Sequence, residues 1–150
     1  MLQAVTFSPA IDPTLPAGMP AMADDSPAQL RAQAAQLVAM GSVSEARQLI
    51  EEGLSKLPRS EDLLAMHALL CEMQHDWRGA DRDLEKLLIL QGLRSSPEAW
   101  AHWVRVLRCQ NHAERALKAA QRGLQLHPDD PMLQSERDTL QAMLQATTRG

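Results

Sequence analysis

Tyrosine is absent from this 150-residue chain, phenylalanine occurs once and tryptophan three times. β-Branched residues are few as well, with five Val, three Ile and five Thr. Sheets draw on both classes, so a β-rich fold is excluded. The same scarcity removes the stacking platforms on which proteins hold single-stranded nucleic acid. Cys71 and Cys109 are too few for a disulfide framework, and a reduced, cytoplasmic protein is expected. No apolar run approaches the roughly 18 residues of a membrane span. The opening MLQAVTFSPAIDP has neither a basic start nor a long apolar stretch, so no secretory signal is expected. A basic excess is missing too: 15 Lys+Arg stand against 19 Asp+Glu, a net charge of −4. Asp12, Asp24 and Asp25, in a stretch without Lys or Arg, supply −3 of it. The nearly neutral remainder offers no basic stripe to a phosphate backbone, which argues against nucleic acid as a partner.

What is abundant is leucine, 23 residues, and alanine, 22. With Gln, Glu and Arg these are the strong helix formers, so the length describes one all-α domain. Five of the nine prolines (Pro9, Pro13, Pro16, Pro20 and Pro27) fall in the first 27 residues. Residues 1–26 therefore read as a flexible Pro-rich segment. It is either a tail without a role or a docking segment carried by Phe7, Ile11 and Leu15.

Beyond Ser26 the helix signals become regular. Ser26-Pro27, Ser96-Pro97 and Asp130-Pro131 pair a capping side chain with proline at the first helical position. Ser42 to Glu45 and Asn111 to Glu114 have capping-box spacing, and Ser60 and Asp76 supply further caps. Seven helices are predicted near 27–40, 43–57, 61–74, 77–91, 97–110, 113–127 and 131–146, with short connections that make neighbours antiparallel.

The pattern repeats. Ala46, Ala80 and Ala116 are 34 and 36 residues apart. Sixteen positions before them stand Leu30, Leu64 and Trp100; nine before, Leu37, Cys71 and Leu107; eight after, Leu54, Leu88 and Leu124. Gly53 and Gly123 match, as do Pro58 and Pro128, with Leu87 and Gly92 in the middle unit. A small residue early in a second helix lets it lie close against the first, and larger apolar residues fill either side. Two helices cannot bury their faces alone, so such pairs stack.

The period, the helix–turn–helix unit, the small residue and the closing proline resemble tetratricopeptide (TPR) repeats in a degenerate three-repeat form. The resemblance covers about residues 27–130 and implies an α-solenoid of three helix hairpins, with units near 27–60, 61–96 and 97–130. Helix 131–147 resembles a terminal cap, with Leu133, Leu140, Met143 and Leu144 on one broad face. Val104 stands where a small residue is usual, which predicts a splayed third unit. The two-residue excess near Gly92–Ser96 predicts an enlarged turn between repeats.

Chemistry is sparse. His67 and Cys71 are four apart on one helical face, a metal-compatible spacing. Cys109 and His112 would have to complete such a site, and nothing brings them near, so a packed histidine and a buried thiol are the expectation. Asp81 and Asp83 read as exposed, and no nucleophile or second carboxylate stands at meaningful spacing. Isolated glycines make no phosphate loop. Trp77, Trp100 and Trp103 read as packing residues. The chain is expected to need no cofactor and not to be an enzyme; a metal-dependent enzyme is the alternative that a His67–Cys71 site would support.

The resemblance further implies a concave surface lined by the first helix of each pair. Its residues here would be Ala28, Arg31, Ala35, Val38 and Ala39, then Asp62, Ala65, Leu69, Glu72 and Met73, then Glu98, Ala101, Arg105, Arg108 and Cys109. TPR domains that grip chaperone C-termini clamp a carboxylate with asparagine and lysine from these helices, and the three first helices contain neither. The small apolar centre suits an amphipathic helix or peptide of a partner protein, with arginines orienting it. Size and groove character also resemble the TPR chaperones of bacterial type III secretion, including those that hold a needle-type subunit soluble. The expected function is thus that of a protein-binding adaptor or assembly factor, with such a chaperone as the alternative.

Overall fold

In the computed structural model, residues 25–149 are described, and the expected Pro-rich segment, with Phe7, Ile11 and Leu15, lies outside them but for its last two residues. Seven helices follow one another: α1 (Pro27–Ala39), α2 (Val43–Lys56), α3 (Glu61–Met73), α4 (Trp77–Gln91), α5 (Pro97–Cys109), α6 (Ala113–Leu126) and α7 (Pro131–Arg149). No strand occurs among the described residues. The protein is an all-α helical repeat: hairpins α1–α2, α3–α4 and α5–α6 stack in order, and α7 packs on the last. The helix α7 continues three residues beyond its expected end, its last turn supported by the Thr147 and Thr148 hydroxyls donating to preceding carbonyls.

Local chemistry explains the starts. Ser26, Ser60, Asp76, Ser96 and Asp130 each accept a hydrogen bond from the amide three residues on, satisfying donors that the helix leaves unpaired. The capping boxes expected at Ser42–Glu45 and Asn111–Glu114 do not form. Gly41, His75 and Asn111 instead adopt φ of +82°, +58° and +63°. The next amide (Ser42, Asp76 or His112) then donates back to the carbonyl five residues earlier, at 2.8 to 2.9 Å. The amides that the two glutamates would reach, those of Ser42 and Asn111, already donate to Leu37 and Arg108 carbonyls of the preceding helix. The excess before the third pair is a single 3-10 turn, Gly92–Arg94.

The core has two parts that meet on α3. Leu63 and Leu70 pack with Leu30, Ala34, Ala46, Leu49 and Ile50 of the first hairpin. Leu64, Ala68 and Cys71 face the larger cluster, which runs through Leu84, Trp103 and Leu107 to Leu133 and Leu140 of α7. A helix packed on two sides needs apolar residues around most of its circumference, which the run LLAMHALLCEM supplies. Val104 is fully buried, so the hairpin absorbs the larger side chain where splaying was expected. In α7 only Leu133 and Leu140 are buried, while Met143 stays about half exposed.

Close approach in the third hairpin rests on Gly123. A Cβ there would fall 2.9 Å from Trp100 Cβ and 3.0 Å from Leu133 Cδ1. Both neighbours are held, Trp100 by its Nε1 donating to Ser95 Oγ at 2.8 Å. Gly123→Ala is expected to destabilise by about 1–2 kcal/mol, overpacking outweighing the roughly 1 kcal/mol of helix propensity gained. Thermal melts of the two proteins check this; an Ala variant at least as stable as the parent would contradict the close approach.

Candidate functional site

The first helices α1, α3 and α5 present one row of side chains each. Along this surface Ala35 and Ala39 of α1 are exposed and Val38 is half-buried against the first core cluster. In α3, Ala65 is half-buried, while Leu69 and Met73, one turn apart, are 48% and 51% exposed. Ala101 of α5 departs from expectation: at 8% exposure it is part of the core cluster that also holds Trp100 and Trp103.

The charged residues of the row bridge successive repeats. Arg31 Nη1 meets Asp62 Oδ1 at 3.0 Å, Arg105 Nη2 meets Glu72 Oε1 at 3.1 Å, and Arg108 Nη1 meets Glu136 Oε1 of α7 at 2.7 Å. His102, which the sequence reading did not single out, also donates to Glu72. The three guanidiniums expected to face an incoming partner freely are therefore each already engaged with a neighbouring carboxylate.

On the opposite side of α3, toward α2 and α4, titratable groups cluster. The His67 ring donates from Nδ1 to Asp83 and from Nε2 to Glu51 Oε2 at 2.9 Å. Cys71 Sγ lies 3.6 Å from His67 Nδ1 and 4.0 Å from Asp83 Oδ2. Hydrogen bonding to Asp83 above all, then to Cys71 and Glu51, overcomes burial and lifts the His67 pKa to about 10. Burial works against the Glu51 charge, but His67 and Arg47 hold its carboxyl below the usual range. Arg47 continues the chain to Asp76 Oδ2 at 2.8 Å. His67 and Cys71 are buried as expected, but Asp83 stands beside them in place of Cys109 and His112: Cys109 is exposed and His112 lies against Arg115. Asp83 is sixteen residues after His67, the same separation that pairs Leu64 with Ala80, so the repeat register carried that signal.

A second buried acid stands two residues earlier. Asp81 is 7% exposed, which corrects its reading as a surface residue. It accepts from Trp103 Nε1 at 2.8 Å, Gln110 Nε2 at 3.0 Å and Arg115 Nη1 at 2.8 Å. Burial alone would raise its pKa, but these three bonds outweigh it and hold the carboxyl below the usual range. The hub locks α4 to both helices of the next hairpin. Trp77, half-buried, packs against the main core and meets His75 edge-on at 5.6 Å.

A tetratricopeptide repeat model matches residues 97–137. The chain superposes on the Sgt2 TPR domain from Aspergillus fumigatus with a TM-score of 0.68 at 16% identity, covering 89% of this chain and 87% of that one. The first TPR of Spaghetti (RPAP3) bound to an HSP90 peptide gives 0.65 at 19% identity, over 79% and 92%. The second TPR domain of human RPAP3 in complex with an HSP70 peptide gives 0.63 at 15%, over 77% and 98%. No curated protein sequence matches the chain. The chain has the fold of a TPR-like helical repeat, and its third hairpin and the start of α7 match the repeat itself. Three stacked helix hairpins closed by a seventh helix carry that likeness.

Proposed function

We propose that the chain is a non-enzymatic protein-interaction module that holds an amphipathic helix or peptide of a partner on its concave face. The observation that carries this is the exposed pair Leu69 and Met73 on α3, with the small, exposed Ala35 and Ala39 on α1 and with Arg31, Arg105 and Arg108 on the neighbouring first helices. An apolar strip between charged edges fits one face of a helix. Similar solved structures carry HSP90 or HSP70 peptides. The first helices here contain neither Asn nor Lys, so an acidic C-terminal peptide is not the partner proposed.

The test begins with affinity capture from the native host and mass spectrometry to identify a binder. Leu69→Asp and Met73→Lys are each expected to weaken that complex by about 100-fold or more, since each removes an apolar contact and desolvates a charge. Helicity and melting temperature should stay at the parent value because both side chains are half exposed. Binding unchanged in both variants would overturn the groove assignment. Co-expression that keeps an aggregation-prone client soluble as a 1:1 complex would extend the function to that of a chaperone, the reading that includes type III secretion.

A further inference from the structure

We propose that His67, Cys71 and Asp83 form a binding site for a single zinc ion, with Glu51 holding the histidine ring from outside. The three donors, one nitrogen, one thiol sulfur and one carboxylate oxygen, come from α3 and α4, and all lie within 4.8 Å of one another. Tetrahedral zinc with bonds of about 2.3 Å to sulfur and 2.0–2.1 Å to nitrogen or oxygen sets its sulfur roughly 3.6 Å from the other donors. Cys71 Sγ stands 3.6 Å from His67 Nδ1 and 4.0 Å from Asp83 Oδ2. The ligand set is therefore nearly in place before a metal arrives; His67 and Asp83, now hydrogen bonded to each other, need only separate by less than a bond length.

The surroundings fit the same occupant. A metal-bound imidazole is held best when its other nitrogen donates to a carboxylate, and His67 Nε2 does so to Glu51 Oε2. The Cys71 thiol, fully buried in an otherwise apolar helix face, points its sulfur at these polar groups. Room around it is kept by Gly79, where a Cβ would come within 2.9 Å of Sγ. A thiolate–imidazole–carboxylate set suits zinc or cobalt and is too soft for calcium or magnesium. Three protein donors leave the fourth tetrahedral position to water.

Binding is an exchange of ions. Zinc forms bonds to Nδ1, Sγ and the Asp83 carboxylate; the Nδ1–H and S–H bonds break, and two protons leave to solvent. Two positive charges enter and two depart, so the buried cluster keeps its net charge. Nothing in the step needs an oxidant or reductant. None of the three ligands is a concave-face residue, so metal binding is read independently of partner binding.

The full chain, stripped with a chelator and kept reduced by a non-thiol reductant, is titrated with Co2+ at about pH 8, close to the pKa of a free thiol. The expected result is one equivalent of tetrahedral cobalt bands with a thiolate-to-metal charge-transfer band in the near ultraviolet, displaced by Zn2+. Cys71→Ser should abolish the charge-transfer band at unchanged helicity, and Cys109→Ser should leave it intact. Asp83→Asn should weaken cobalt affinity at least tenfold. A parent protein without the band, or a band lost in Cys109→Ser and retained in Cys71→Ser, would overturn the site and leave the cluster as an ion pair beside a buried thiol.

Discussion

Asp81→Ala is expected to lower the stability of the protein by about 3–5 kcal/mol, the range for breaking a buried charged network. For a repeat body of this size that is a fall of roughly 10–20 °C in melting temperature. The cost is not mainly Coulombic. Arg115 is 45% exposed and regains water when its partner is lost, so its share is small. Trp103 Nε1 is buried and can turn nowhere else, and Gln110 loses the acceptor that ties α5 to α4. An unpaired buried donor costs about 1–3 kcal/mol by itself, and the shortened side chain adds a cavity. Asp81→Asn, which keeps the shape and one acceptor oxygen, should lose distinctly less. A melting temperature within about 3 °C of the parent for Asp81→Ala would show that the hub does not join the second and third hairpins.

Leu133→Asp should have an effect at least as large. Leu133 and Leu140 are fully buried at one end of the stack, and Leu133 lies against the position where Gly123 admits no side chain. Truncation of such a leucine to alanine costs about 2–5 kcal/mol, and a buried carboxylate without a partner costs more. Ending the chain at Asp130 removes both leucines at once and bares the α5–α6 side of the core, including Trp100 and Leu124. Terminal repeats of a solenoid need a polar outer face to remain soluble, so the shortened chain is expected to self-associate or lose its cooperative melt. Size-exclusion chromatography and circular dichroism check both outcomes. A monomeric, cooperatively melting 1–130 chain would show that α7 is dispensable as a cap.

The helices and their pairing were legible in the sequence because capping residues, small residues and apolar residues recur at the repeat period. Each helix boundary follows from local chemistry within three or four residues. What escaped the sequence reading depended on the turn between the two helices of a pair. With Gly41, His75 and Asn111 in left-handed conformations, the turn occupies the amides that capping boxes would have used. Asp81 meets Trp103 of α5 and Asp83 meets His67 of α3, partners twenty-two and sixteen residues away that charge patterning within α4 alone does not reveal. His102 was passed over because its role depends on Glu72, thirty residues earlier, and not on any neighbour in its own helix. The exposed state of Leu69 and Met73 followed from the repeat register together with the face that the TPR resemblance implies. The burial of Ala101 did not, because it depends on packing within the larger core cluster that the register does not specify.

The carboxylates that meet Arg31, Arg105 and Arg108 would give the proposed binding face its own built-in competitors. A partner that brings an acidic group to any of the three must first displace Asp62, Glu72 or Glu136, and a partner that brings a basic group must displace the arginine. Either way the number of ion pairs is unchanged, and the net gain from charge is the small difference between two similar pairs. Selectivity among charged peptides is then weak at this surface. On the proposed reading, discrimination would fall to shape, to how well an apolar side chain packs on Leu69 and Met73, which salt does little to alter.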